Sequence, residues 1–140
     1  MRHFLSTIDW NREQLDELLT LASELKRSPV RDDLRGKSIA LMFLNPSLRT
    51  RTSFELGMQQ LGGIAIVLQP GKDAWGVEFE PGAVMEGDAE EHIAEVAGVL
   101  SRYCDLIALR AFPLFQDWRN DREDSVIRAL AAHASVPVIN

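Results

Sequence analysis

The sequence predicts an α/β fold in which helices cover both faces of a parallel sheet. Three observations carry this reading. The run Ser38-Ile39-Ala40-Leu41-Met42-Phe43-Leu44 is apolar nearly throughout, as a strand buried on both faces must be. Segments of this kind alternate with helical stretches long enough to serve as crossovers between parallel neighbours. A chain of 140 residues, 46% hydrophobic and 26% charged, is long enough to bury one sizeable core.

The elements follow in order. Asn11-Arg12-Glu13-Gln14 reads as a capping box, with Leu15, Leu18, Leu19, Ala22 and Leu25 behind it at helical spacing, so the first helix is expected over Asn11–Arg27. Pro29 and Arg31-Asp32-Asp33 end it, and the strand from Ser38 stops at Asn45-Pro46. A second helix is expected over Ser47–Leu61, with Phe54, Met58 and Leu61 on one face and Gly62-Gly63 as its left-handed stop. Ile64–Leu68 is the next strand. Residues Gln69–Gly87 carry two Pro and four Gly without periodicity and read as a long loop, a length that compact domains usually reserve for function. Asp88 with Glu91 reads as the start of a helix through Ile93, Val96, Ala97 and Leu100. Asp105–Leu109 is a third strand ending at Arg110, and a second loop follows. Asp121-Arg122-Glu123-Asp124 opens a last helix through Val126, Ile127, Leu130 and Ala131, and Val136–Ile139 makes a fourth short strand despite Pro137. The expected sheet has four strands in the order 2-1-3-4. There is no internal repeat or low-complexity segment.

Composition narrows the function classes. Fifteen Lys and Arg against 21 Asp and Glu give a net charge of −6, the wrong sign for a nucleic-acid binder that works by bulk attraction. The N-terminus turns polar before any signal-length apolar core, and no stretch approaches a membrane span. The single Cys104 permits no internal disulfide and fits the cytoplasm. Cys104 reads as a buried apolar residue, and with His3, His92 and His133 it forms no metal-ligand pattern. Between Asp73 and Glu95 stand eight acids and no Lys or Arg, which suggests a cation site or, as such runs more often are, a solvated face that discourages the wrong anions.

Chemistry concentrates at Ser47-Leu48-Arg49-Thr50-Arg51-Thr52-Ser53. Two guanidinium groups and four hydroxyls there surround a helix start whose backbone N–H groups have no helical partner, which makes an anion site. The run lacks the G-x-x-x-x-G-K-[ST] pattern of the nucleotide P-loop. The bland reading is that Ser47 caps the helix and the arginines are solvated, with Arg51 paired to Glu55. Arg110 closes the third strand at the carboxyl edge of the sheet, where α/β proteins bind ligands, and the order 2-1-3-4 brings it to the Ser47–Arg51 turn. Alone it reads equally as a surface cation.

Phe43-Leu44-Asn45-Pro46-Ser47-Leu48-Arg49-Thr50-Arg51-Thr52-Ser53-Phe54-Glu55 resembles the carbamoyl phosphate signature, S-x-R-T-R, of the aspartate and ornithine transcarbamylases, with its F-E helix. Leu68-Gln69-Pro70-Gly71-Lys72-Asp73-Ala74-Trp75, the segment from Gly87 to Val96 and the Arg110-Ala111-Phe112-Pro113 turn resemble the N-acetylornithine branch of that family. The resemblance runs over essentially the whole chain. It implies a carbamoyl phosphate-binding domain over 1–140, the first half of a two-domain transcarbamylase whose amino-acid-binding domain lies outside this chain.

By that resemblance, Ser47, Arg49 and Thr50, with the Leu48 and Arg49 amides, hold the phosphate of carbamoyl phosphate. Thr50 and Arg110 polarise the carbamoyl oxygen, Arg49 neutralises the departing phosphate, and Arg51 is structural. Leu48 departs from the Thr of the commoner transcarbamylases, a change that costs little where only its amide touches phosphate. Trp75 would close the site of a neighbouring subunit in a homotrimer, although by itself it reads as one of three tryptophans filling a surface gap. Glu90 matches the position that separates acetyl from succinyl acceptors, and by itself is an ordinary first-turn acid. The implied partners are carbamoyl phosphate and N-acetyl-L-ornithine, in arginine biosynthesis, with no metal or organic cofactor, no nucleic acid and no membrane. The nearer alternative is an ornithine or N-succinylornithine carbamoyltransferase. An alternative of another class is a stand-alone phosphate-binding regulatory module, which the end of the chain at Asn140 keeps open.

Overall fold

The computed structural model describes residues 2–80, 82–113, 115 and 118–140, with Asn120 through its backbone alone. In chain order the elements are a short 3-10 turn Thr7–Asp9, α1 Arg12–Arg27, β1 Ser38–Phe43, α2 Arg49–Gln60, β2 Ile64–Leu68, β3 Val77–Glu78, β4 Glu91–His92, α3 Ile93–Tyr103, β5 Leu106–Arg110, α4 Trp118–Arg122, α5 Ser125–His133 and β6 Val138–Ile139.

The main sheet has the order β2-β1-β5-β6 and every pairing in it is parallel. These are the second, first, third and fourth strands expected from sequence. β1 is central because its residues are apolar on both faces: Ile39 to Phe43 are all buried. Ala40 and Met42 face one core with Ile107, Leu109 and Val138, closed by Ile93, Val96 and Ala97 of α3 and by Ile127, Leu130 and Ala131 of α5. Ile39, Leu41 and Phe43 face the other core, closed by Met58 of α2. The buried thiol of Cys104 joins the α3 side.

Local chemistry sets the boundaries. Both bonds of the capping box at α1 form: Asn11 Oδ1 accepts from Gln14 N at 2.9 Å, and Gln14 Oε1 accepts from Asn11 N at 3.2 Å. The leucine spacing of α1 nonetheless buries none of its residues, and Leu18, Leu19 and Leu21 remain exposed. Gly62, with φ 79°, provides the left-handed stop after α2. β6 is shorter than expected because Pro137 has no N–H for the ladder; its carbonyl still accepts from Ile107 N at 3.0 Å. Beyond β6, Phe4 donates to Val138 O at 2.8 Å and accepts from Asn140 N at 2.9 Å, extending that edge of the sheet.

Three expectations are corrected. The segment 69–87 is not structureless, for Gln69–Ala74 forms a turn around Gly71 (φ 79°) and β3 follows it. Asp88 and Glu91 do not open α3: Glu91 and His92 are extended in parallel register with Val77 and Glu78, and the His92 ring takes over as N-cap. The last helix is two, because Asp124 adopts a left-handed conformation (φ 52°) between α4 and α5 without capping by its side chain. Residue 81 of the first expected loop and residues 114, 116 and 117 of the second lie outside the described residues.

At the amino edge of the sheet Asp105 ties β5 to β1, accepting from Lys37 Nζ at 2.8 Å and from Ser38 N at 2.9 Å. The Lys37 hydrogen bond, then the Ser38 amide, holds its carboxyl below the usual 3.8. A carboxyl lowered by folding stabilises the fold above its unfolded-state value, and that stability is lost as pH falls through the folded-state value. Thermal unfolding of Asp105→Asn is therefore expected below wild type at pH 7, with the gap closing as pH drops under about 4. In the interior, Ile107 is fully buried. Ile107→Ala is expected to cost about 2–5 kcal/mol in urea unfolding.

Candidate active site

Parallel pairing of β1 with β5 puts Phe43 opposite Arg110, so both strands end at one level. Leu44 N donates to Arg110 O at 3.1 Å, and Asn45 Oδ1 accepts from Phe112 N at 2.8 Å, which joins the two loops just past the sheet. Below them a cleft of about 320 Å³ is lined by Thr50 and Phe54 of α2, by Arg110, Ala111 and Phe112, and by Asn140. The Arg110 guanidinium lies 4.7 Å from the centre of the Phe112 ring, so this cation is held over an aromatic face.

The turn itself is poorer in internal bonds than a solvated cap would be. Leu48, not Ser47, is the N-cap residue of α2, and it makes no side-chain capping bond. Thr52 N is the donor to Leu48 O, so the amides of residues 49–51 precede the helical ladder, and no acid stands in the first turn. Their partial positive charge is open to an anion. Arg51 is occupied otherwise, since its Nε lies 3.1 Å from Glu55 Oε2, the pairing expected from their spacing. Ser53 Oγ donates to the Thr50 backbone carbonyl, and Thr50 itself lines the cleft. Arg49 is exposed and Ser47 half-buried beside them.

Trp75 and Glu90 do not line this cleft. Glu90 lies instead against Gly76, where an added methyl group would stand 3.7 Å from its Oε2, so the carboxylate faces the residue that follows Trp75. Parallel pairing of β3 with β4, Val77 opposite Glu91, sets this approach, and the Trp75 indole is 66% exposed. A wider depression of about 760 Å³ runs along α1, but its rim includes Glu13, Asp16, Glu17 and Glu24, which oppose an anion. Among the described residues no group of three His, Cys, Asp or Glu converges as a metal site, and no helix is long and apolar enough to cross a membrane.

The sequence model of the aspartate/ornithine carbamoyltransferase carbamoyl-P binding domain matches residues 2–140. The chain belongs to this family. N-acetylornithine carbamoyltransferase of Xanthomonas campestris pv. campestris is 64% identical over 140 residues, covering 100% of this chain and 41% of that protein. The ornithine carbamoyltransferase of Pelobacter propionicus is 39% identical over 143 residues, covering 99% of this chain and 40% of the relative. The crystal structure of acetylornithine transcarbamylase complexed with acetylcitrulline superposes with a TM-score of 0.97 at 64% identity, over 100% of this chain and 42% of that one. The chain thus spans about two fifths of the length of the relatives it matches, and its α/β architecture is theirs.

Asn45 and Phe112 were not legible as site residues. Asn45 stands at the carboxyl end of a buried strand, the same position that singles out Arg110, and that placement was the available signal. Titration with inorganic phosphate is expected to weaken about 10–100-fold in Arg49→Ala, the range of one charge-assisted hydrogen bond. Arg51→Ala is expected to bind phosphate nearly as wild type and to lose about 0.3–0.5 kcal/mol of stability with the exposed Glu55 pair.

Proposed function

We propose that residues 1–140 are the carbamoyl phosphate-binding domain of an N-acetylornithine carbamoyltransferase, a cytoplasmic enzyme of arginine biosynthesis. It transfers the carbamoyl group of carbamoyl phosphate to the side-chain amine of N-acetyl-L-ornithine, giving N-acetyl-L-citrulline and phosphate. The observation that carries this reading is the convergence of Thr50 and Arg110 on one cleft beside the uncapped start of α2. The acceptor follows from similarity, 64% to the acetylornithine enzyme against 39% to the ornithine enzyme.

In this reading Ser47, Arg49 and the Leu48 and Arg49 amides grip the phosphate, and Thr50 and Arg110 donate to the carbamoyl oxygen. The acceptor amine attacks as the neutral base, and its nitrogen bonds to the carbamoyl carbon while the carbonyl electron pair moves onto oxygen. The Thr50 hydroxyl and Arg110 guanidinium meet that developing oxyanion from fixed positions, which is where positioned donors contribute most. Collapse of the intermediate breaks the bond from carbon to the phosphate oxygen, the attacking nitrogen passes a proton to the departing phosphate, and Arg49 with the α2 amides holds that leaving anion. Holding both reactants in one cleft supplies the remaining advantage.

Trp75 and Glu90 then belong to the acceptor side. An exposed indole away from the cleft, with Ile64 and Ile66 uncovered on the edge strand β2, supports a homotrimer in which each Trp75 completes a neighbouring subunit's site. The substrate domain lies outside 1–140.

The discriminating experiment is a carbamoyl-transfer assay on the whole enzyme with ornithine, N-acetylornithine and N-succinylornithine. N-acetylornithine is expected to be the preferred acceptor, and preference for either of the others overturns the assignment. Arg49→Ala and Trp75→Ala, each inactive alone, are expected to regain activity when dissociated and reassociated together, because every hybrid trimer keeps one interface with turn and loop both intact. Hybrids verified by mass that stay inactive would remove Trp75 from the neighbour's site.

A further inference from the structure

His92 uses both ring nitrogens. Its Nδ1 accepts from Ala94 N at 3.2 Å, capping α3, and its Nε2 lies 3.0 Å from Glu80 O. An amide donor at Nδ1 and a carbonyl at Nε2 fix a neutral ring protonated at Nε2, which donates to Glu80 O. One side chain therefore ties a helix start to a point twelve residues earlier in the chain.

That tie closes residues 80–92, the segment carrying Glu90, and the β3–β4 pairing beside it sets Glu90 against Gly76, the residue after Trp75. β3 and β4 pair over only two residues each, too few for a ladder to persist alone. Glu78 bends the chain just after β3, its Oε1 accepting from Phe79 N at 2.7 Å and from Glu80 N at 2.8 Å, and the bend presents Glu80 O to the ring. Glu91 N donates to Gly76 O at 3.3 Å within the same closure, and Glu90 Oε2 lies against Gly76.

We infer that His92 is a positioning residue for acceptor recognition, the clasp that holds Glu90 against Gly76 at the foot of the Trp75 loop. The inference rests on the proposed acceptor role of those two residues. His92 touches no reacting atom, so its loss acts on the acceptor and not on the anion turn.

Two substitutions separate its two bonds. His92→Asn keeps an oxygen acceptor near the Nδ1 position and so retains the cap, but cannot reach Glu80 O. His92→Gln carries an amide donor about as far out as Nε2 and retains the clasp. In the whole enzyme, His92→Asn is expected to raise KM for N-acetylornithine about fivefold, the order of one neutral hydrogen bond. Its kcat, its KM for carbamoyl phosphate and its thermal midpoint stay near wild type. Its amide exchange at Glu91 quickens while that of Val96 and Ala97 in α3 does not. His92→Gln is expected to recover the acceptor KM. An unchanged acceptor KM in His92→Asn overturns the inference, as does a fall in thermal midpoint with kcat and both KM values moving together. A wild-type enzyme that carbamoylates none of the acceptors overturns the proposed function instead. Exchange at Glu91 then decides the clasp alone, unchanged exchange in His92→Asn refuting it.

Discussion

The pairing of β1 with both β2 and β5 is the constraint on which the site depends. A strand buried on both faces and flanked by two parallel partners must release its chain at the carboxyl edge, between loops that depart to opposite sides of the sheet. The register that sets Phe43 against Arg110 then fixes how closely the α2 start and the Arg110 loop approach. Every later contact is a consequence: the Asn45 bond to Phe112 N, the guanidinium over the Phe112 ring, and Thr50 facing the same cleft. Asp105 plays the matching part at the other end, clamping β5 to β1 through Lys37 and Ser38. The strands are thus held at both ends, and the donors at the cleft sit on a base with little freedom to shift.

Electrostatics divides the molecule between two tasks. A chain of net charge −6 nonetheless places two arginines and the unpaired amides of the α2 start together, with no acid in that first turn. The acids run instead through the segment from Asp73 to Glu95, and several do local work there. Glu78 caps its own bend, and Asp73 accepts from Gln69 N to close the preceding turn. Backbone capping accounts for part of the density of acids in this segment.

Much of this was legible in the sequence where a residue's own chemistry decides its conformation. Asn11 with Gln14 specified a cap, Gly62 a left-handed stop, and the alternation of apolar strands with helices a parallel sheet, whose order 2-1-3-4 is that of flavodoxin-like folds. Legibility failed where distant residues compete for the same role. Asp88 and Glu91 match a capping box, but parallel pairing with Val77 and Glu78 pulls 91–92 into an extended strand, and the imidazole of His92 is left to cap α3. The break at Asp124 is backbone strain, invisible in a run of acids and arginines that reads as one helix start. Asn45 escaped notice because its partner, an amide of residue 112, is fixed only by sheet register. In α1 the periodic leucines mark the helix, and what lies against its apolar face was not legible, since periodicity records the face alone.

The outermost position of the sheet beside β6 is filled by Phe4, and His3 Nδ1 accepts from Val138 N across a separation of 135 residues. On a ribosome that edge cannot close until residues 138–140 have left the exit tunnel, so Phe4, although its ring already has Trp10 beside it, waits for its backbone partners while the intervening strands assemble. Contacts of such long range are entropically the last to become favourable and slow the final step of folding.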